Sequence, residues 1–138
     1  MITQTQTTSF KAELYEGVHN LLTDTIKIAL YTALADLGAD TTVYTTDNEI
    51  TGTGYVAGGN TLTGATVQTS GSTVYVSFNN TNWANASFTC RGALLYNASK
   101  ANRSVAVLNF GNDKIVNNQT FTVEFPANTA NSAVIRMT

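Results

Sequence analysis

Cysteine and proline, the residues that staple and punctuate small domains, are almost missing from this chain, with one of each in 138 residues. A lone cysteine excludes an internal disulfide framework and any cysteine-based metal cluster. There is also a single histidine, His19. It has no Asp, Ser or Cys partner at a spacing that suggests a catalytic set, so it reads as a surface or helix-edge residue rather than a general base. Charge is equally sparse: charged residues make up 12% of the chain, seven basic against nine acidic, with a net charge of -2 and a pI near 5.1. Lys11, Lys27, Arg91, Lys100, Arg103, Lys114 and Arg136 are scattered singly. The basic stripe that displaces counterions from phosphates is missing, and direct nucleic-acid binding is not expected. No run approaches the ~20 apolar residues of a membrane helix. The opening MITQTQTT has neither the basic start nor the apolar stretch of a secretory signal. No membrane partner, cofactor or metal is expected, and no catalytic residues are assigned.

What the chain has in abundance is Thr, Asn, Ser and Gly, with its apolar residues gathered in short alternating runs. Thr favours strands, and Asn and Gly favour the turns between them. A hydrophobic fraction of 43% at this length suits one core and therefore one domain. The organising stretch is Asn82 to Asn97, NWANASFTCRGALLYN. Phe88, Cys90, Gly92, Leu94 and Tyr96 share one side, while Thr89 and Arg91 on the other give way to Ala93 and Leu95. A strand that turns apolar on both faces belongs in the middle of a sheet. Cys90, on the apolar side, reads as a buried and unreactive thiol. Trp83 stands just before this strand.

The rest of the chain is arranged around that strand. Residues 1 to 8 lack an apolar anchor and read as a flexible arm that orders only against something else. Its interaction residues are Ile2, Thr3, Gln4, Thr5 and Gln6. Ser9 reads as a helix cap, followed by an apolar stripe of Phe10, Leu14, Val18, Leu21 and Leu22 with Gly17 inside the helix. Ile26, Ile28, Leu30 and Thr32 alternate with Lys27, Ala29 and Tyr31, a half-buried strand. Ala33 to Asn48 reads as a long loop with one short edge strand. Asp36, Asp40, Asp47 and Glu49 match no calcium-ligand ladder and read as solvated. Glu49 to Leu62 sets Gly52, Gly54, Gly58 and Gly59 around Tyr55, whose ring is expected to be buried and its hydroxyl wet. No Walker lysine and no helix follow, so nucleotide binding is not expected.

Leu62 to Val67 and Thr73 to Phe78 read as a hairpin across Thr69-Ser70-Gly71-Ser72. Ser104 to Phe110 reads as a second interior strand paired with the central one. Phe121, Val123 and Phe125 read as a separate strand with one wet face, ended by Pro126, and Ala133, Ile135 and Met137 as a last short strand. Five Asn-x-Ser/Thr triplets, at Asn79, Asn85, Asn97, Asn102 and Asn118, follow from composition rather than marking glycosylation. About eight strands at short spacing and one N-terminal helix predict a mainly β fold, an antiparallel β-sandwich or barrel. The expected organisation is a flexible arm over 1–8 and a single β-sandwich domain over 9–138.

Several short motifs, taken together, resemble those of a family of small tailed-bacteriophage virion proteins. They are Ala29-Leu30-Tyr31-Thr32, Gly52-Thr53-Gly54-Tyr55 with Ala57-Gly58-Gly59, Trp83, Arg91-Gly92-Ala93-Leu94-Leu95-Tyr96 and Asn109-Phe110-Gly111. The resemblance covers roughly residues 10 to 126. It implies a non-enzymatic virion structural protein, a capsid decoration (cement) protein on the outer surface of the head that bridges neighbouring major capsid protein subunits. It also implies association with copies of itself, as a homotrimer suited to the threefold positions of an icosahedral shell. A tail, baseplate or head-to-tail connector component is the alternative within the particle. A carbohydrate- or receptor-binding module, stacking sugars on its tyrosines and Trp83, is the alternative outside it. The chain departs from the family in its longer polar N-terminal arm and in the tail from Asn128 to Thr138. The motifs read as fold-determining, so no functional side chains are carried over.

Overall fold

The computed structural model describes residues 1–125, 133 and 135–137. Its elements in chain order are β1 (Thr5–Gln6), α1 (Thr8–Tyr15), β2 (Ile26–Tyr31), β3 (Asn60–Thr61), β4 (Thr66–Ser70), β5 (Thr73–Ser77), β6 (Thr81–Asn97), β7 (Arg103–Val123) and β8 (Ile135–Met137). One sheet runs β1-β7-β6-β2-β3 and the other β4-β5-β8. All their pairings are antiparallel. The fold is mainly β and sandwich-like, with the one short helix near the N-terminus. The expectations for Pro126 and for most of the Asn128–Thr138 tail fall outside the described residues.

β6 lies in the middle of its sheet, as its two apolar faces require, and Trp83 falls inside it. Its partner departs from the sequence reading. The strand expected at Ser104–Phe110 and the Phe121–Val123 part of the one expected to follow it are one continuous strand, β7, which ends before Phe125 and which Gly111-Asn112-Asp113 do not interrupt. The register passes from Cys90↔Lys114 to Gly92↔Asn109, so β7 carries extra residues at that point. Gly111, at φ 86°, sits among them. Turn-forming residues are absorbed as a bulge, which bends the ribbon without ending it.

β2 is not half-buried, because only Lys27 of its six residues escapes burial. Ile26, Ile28 and Leu30 enter the larger core between the sheets, with Phe10, Val76, Phe78, Trp83 and Val105. Ala29 and Tyr31 join a second cluster with Ile2, Leu37, Leu94, Tyr96 and Val107. The wide sheet is therefore covered on both faces, by the small sheet, the helix, Ile50 and Tyr55 on one and by Ile2 with Ala35, Leu37 and Tyr44 on the other.

The same second cluster overturns the flexible arm. Residues 1–8 are ordered against their own chain: Ile2 is 6% exposed and bridges Leu37, while Thr5 and Gln6 pair with Val107 and Ala106. Ile2 is the apolar anchor that the arm was expected to lack, and it packs where Gly92 leaves the sheet bare. The helix is also shorter than its apolar stripe. Its cap is Thr7, not Ser9, and the Thr7 hydroxyl accepts from the Phe10 N–H at 3.3 Å. Gly17 ends it instead of weakening its interior. At φ 74° the Gly17 N–H reaches the Leu14 carbonyl and the Val18 N–H reaches that of Glu13, a Schellman closure that favours glycine. Leu21 and Leu22 thus lie beyond the helix, Leu21 buried and Leu22 exposed.

Candidate functional site

His19 is not a surface residue. Its side chain is fully buried beyond the helix end and lies between α1 and the 97–103 turn. The amide nitrogen of Asn97 can only donate, so it donates to His19 Nδ1 at 2.9 Å, and Nε2 carries the proton that goes to Glu13 at 2.8 Å. Glu13 also accepts from Arg103 at 2.9 Å. Asn97 donates a second bond to Asp24 at 2.8 Å, and Lys100 faces the same carboxylate at 3.2 Å. The backbone N–H of Asn20 holds the Asp24 carboxyl below its usual range; burial opposes it, and Asn97 and Lys100 reinforce it. Every polar group in this chain of contacts is satisfied by another, so it fastens the helix to the β6–β7 turn. Asn97, 0% exposed, is closed to a glycosylating enzyme.

A second polar junction lies under the 32–59 loop. Glu49 does not point into solvent as the loop reading expects. It accepts from the Tyr44 hydroxyl at 2.6 Å, the Tyr55 hydroxyl at 2.5 Å and the Gly58 N–H at 2.8 Å. The Tyr55 hydroxyl is not wet either, because it also accepts from the Leu30 N–H of β2 at 3.0 Å. Tyr96 stacks on Tyr44 with ring centroids 4.6 Å apart and donates to the Gly58 carbonyl at 2.7 Å. Burial first, and then the Glu49 charge, push the Tyr44 and Tyr55 hydroxyls far above their ordinary value and Tyr96 up to about 12. These phenols stay neutral and donate. The loop can lie this close because Gly59, at φ 77°, has no side chain: a Cβ there would sit 1.7 Å from the Ile28 carbonyl oxygen.

Cys90 is 1% exposed, and burial pushes its thiol up to about 12, the inert state its position predicts. No group of three or more potential metal ligands occurs among the described residues. No helix among them is long and apolar enough to cross a membrane. Most of the aromatic residues expected to form a platform in a sugar-binding module are drawn into the cores. Tyr31, Tyr75, Trp83 and Tyr96 are buried, Tyr44 and Tyr55 are partly buried against the two clusters, and Tyr15, 85% exposed, stands alone. The Trp83 indole N–H finds no partner among the described residues, so that ring contributes as packing rather than as a polar contact.

Of the five residues assigned to the arm, none is presented as a loose end. The Ile2 side chain is buried and its carbonyl accepts from Asn109; the Thr3 N–H reaches the Leu37 carbonyl; Gln4 accepts from the Asn109 N–H. Thr5 lies in β1, and Gln6 donates from its side chain to the Arg136 carbonyl at 2.7 Å. The polar side chains of Thr3 and Gln4 remain on the surface. Two features face outward that the sequence did not single out. One is an apolar groove of about 470 Å³ between the helix end and the small sheet, lined by Leu14, Leu22, Val67, Val74 and Met137. The other is the outer edge of β4, whose five residues are all exposed.

Comparison with protein-family models, with curated proteins and with solved structures finds no match to this chain. The resemblance to phage virion proteins therefore rests on the quoted motifs.

Proposed function

We propose that this chain is a bacteriophage virion structural protein, a capsid cement that binds the outside of the head and bridges neighbouring major capsid protein subunits. The observation that carries the reading is the employment of its reactive residue types. His19, Glu13, Asp24 and Glu49 are bonded into junctions that fasten loops to the sheets, and Cys90 is buried. What remains outward is a Thr- and Asn-rich skin with sparse charge, a surface built for many shallow contacts. Cement works in that way, since bridging several subunits turns modest contacts into lasting attachment.

The motifs behind the resemblance have structural work consistent with this reading. Gly59 admits the loop to β2, and Arg91–Tyr96 forms the sheet centre. A tail, baseplate or connector role uses the same kind of surface and differs in copy number. Quantitative mass spectrometry of purified particles tests the proposal. A ratio near one to one with the major capsid protein is expected; a few per cent would move the assignment to the tail or connector, and absence from particles would overturn it.

A further inference from the structure

Open strand edges recruit other strands, and natural sheets blunt them with short strands, charge, proline or bulges. Most edges among the described residues are blunted in one of these ways. β1 and β3 are two residues each, and β8 is three with Arg136 at its middle. The far part of β7 carries Asp113 and Lys114 and is broken by register shifts, with Gly111 and Asn118 at positive φ. β4 has none of these devices. Its residues, TVQTS, are uncharged, lack proline and pair with β5 without a register shift.

We infer that β4 is a self-association edge, at which a second copy of this chain adds its own β4 antiparallel about a two-fold axis through Gln68. The register fixes which groups are offered. The β4–β5 ladder closes at Ser70↔Thr73 across a two-residue turn, so that closing pair is the doubly hydrogen-bonded kind. Ser70, Gln68 and Thr66 therefore direct their backbone groups to β5, and Val67 and Thr69 direct theirs outward. Pairing centred on Gln68 sets Val67 opposite the partner's Thr69 and Thr69 opposite the partner's Val67, both doubly hydrogen-bonded.

A second copy is the fitting occupant because the strand is its own complement. The facing pairs are Thr with Ser, Val with Thr and Gln with Gln, and none brings like charges together. Val67, Val74 and Met137, each between 40% and 46% exposed, lie on one face, so that across the join Val67 stands beside the partner's Thr69 and extends that apolar face. A contact of this kind is isologous and closes at two copies. The species expected in solution is a dimer, not the homotrimer that the resemblance implies. The inference does not rest on the cement reading, and neither the particle ratio nor this contact decides the other.

Sedimentation equilibrium tests it. The wild-type chain is expected at dimer mass in the micromolar range. Gln68→Lys and Gln68→Glu, each placing like charges face to face across the axis, are expected at monomer mass. Their equimolar mixture is expected to return to dimer. Gln68→Cys adds a check of register: under mild oxidation it is expected to cross-link to a dimer, while Thr66→Cys is not, because position 66 faces position 70. A monomeric wild type at about 100 μM, weaker than a specific contact of this kind warrants, would overturn the inference. So would a trimeric mass, or charged variants that stay dimeric.

Discussion

Glu49 accepts from two phenols and a backbone N–H that all belong to the 32–59 loop, so one carboxylate governs how that loop lies on the sheet. Glu49→Ala leaves the Tyr44 and Tyr55 hydroxyls without their acceptor. Because hydrogen bonds to a charged group are the stronger kind, the expected loss is about 3 kcal/mol in urea unfolding, with Glu49→Gln losing less. An unchanged midpoint for the alanine variant would show that the junction contributes nothing net. The buried acids predict a pH dependence as well. Tyr96 and Cys90 are each held up at about 12 in the fold, against ordinary values of 10.0 and 9.0. The unfolded chain therefore loses these protons first. Their contribution is complete below about pH 9 and is lost as pH climbs toward about 12. The urea midpoint should hold near about pH 8 and fall clearly by about pH 11; a flat profile would contradict the burial.

At the scale of elements, the N-terminal residues change role. An unanchored arm predicts that its removal leaves the domain intact. With Ile2 in a core and β1 completing a sheet edge, deletion of residues 1–6 is expected to destabilise the fold by about 2 to 3 kcal/mol. Thermal unfolding of the truncated chain checks this, and an unaltered melting temperature would restore the arm reading. The helix teaches a related lesson. Its apolar stripe continues through Leu21 and Leu22, yet the chain leaves the helix at Gly17. Of the residues in that stripe only Phe10 and Leu21 are buried, and the helix end was decided by a glycine free to adopt the left-handed region.

At the scale of the molecule, both cores draw on the same three strands. β2, β6 and β7 each send residues into both clusters, so neither can melt while the other stands. Unfolding is expected to be a single transition. Trp83 fluorescence reports the larger core, and near-ultraviolet tyrosine signals report the smaller one around Tyr31, Tyr44 and Tyr96. The two curves should coincide in urea, and separated midpoints would show that the loop-covered core unfolds on its own.

By itself the sequence determined the strand class, the central place of Asn82 to Asn97 and the presence of a hairpin with Thr73 to Phe78 as its second arm, because alternation and turn residues act between near neighbours in the chain. The first arm of that hairpin is Thr66–Ser70 and not Leu62 to Val67, since Thr69 and Ser70 pair with β5 and leave only Gly71 and Ser72 to turn. The inertness of Cys90 was equally legible, since it stands among apolar residues on that strand. Tertiary structure decided the rest. His19 reads as a surface residue until Asn97, 78 positions away, closes over it, and Glu49 reads as solvated until a glycine-lined loop folds back on β2. Partners that meet only after the sheet has formed leave no periodic trace. The long β7 was hidden for the opposite reason: Gly111-Asn112-Asp113 carries a strong local turn signal, and pairing with an uninterrupted β6 outweighs it by taking the turn residues into a bulge.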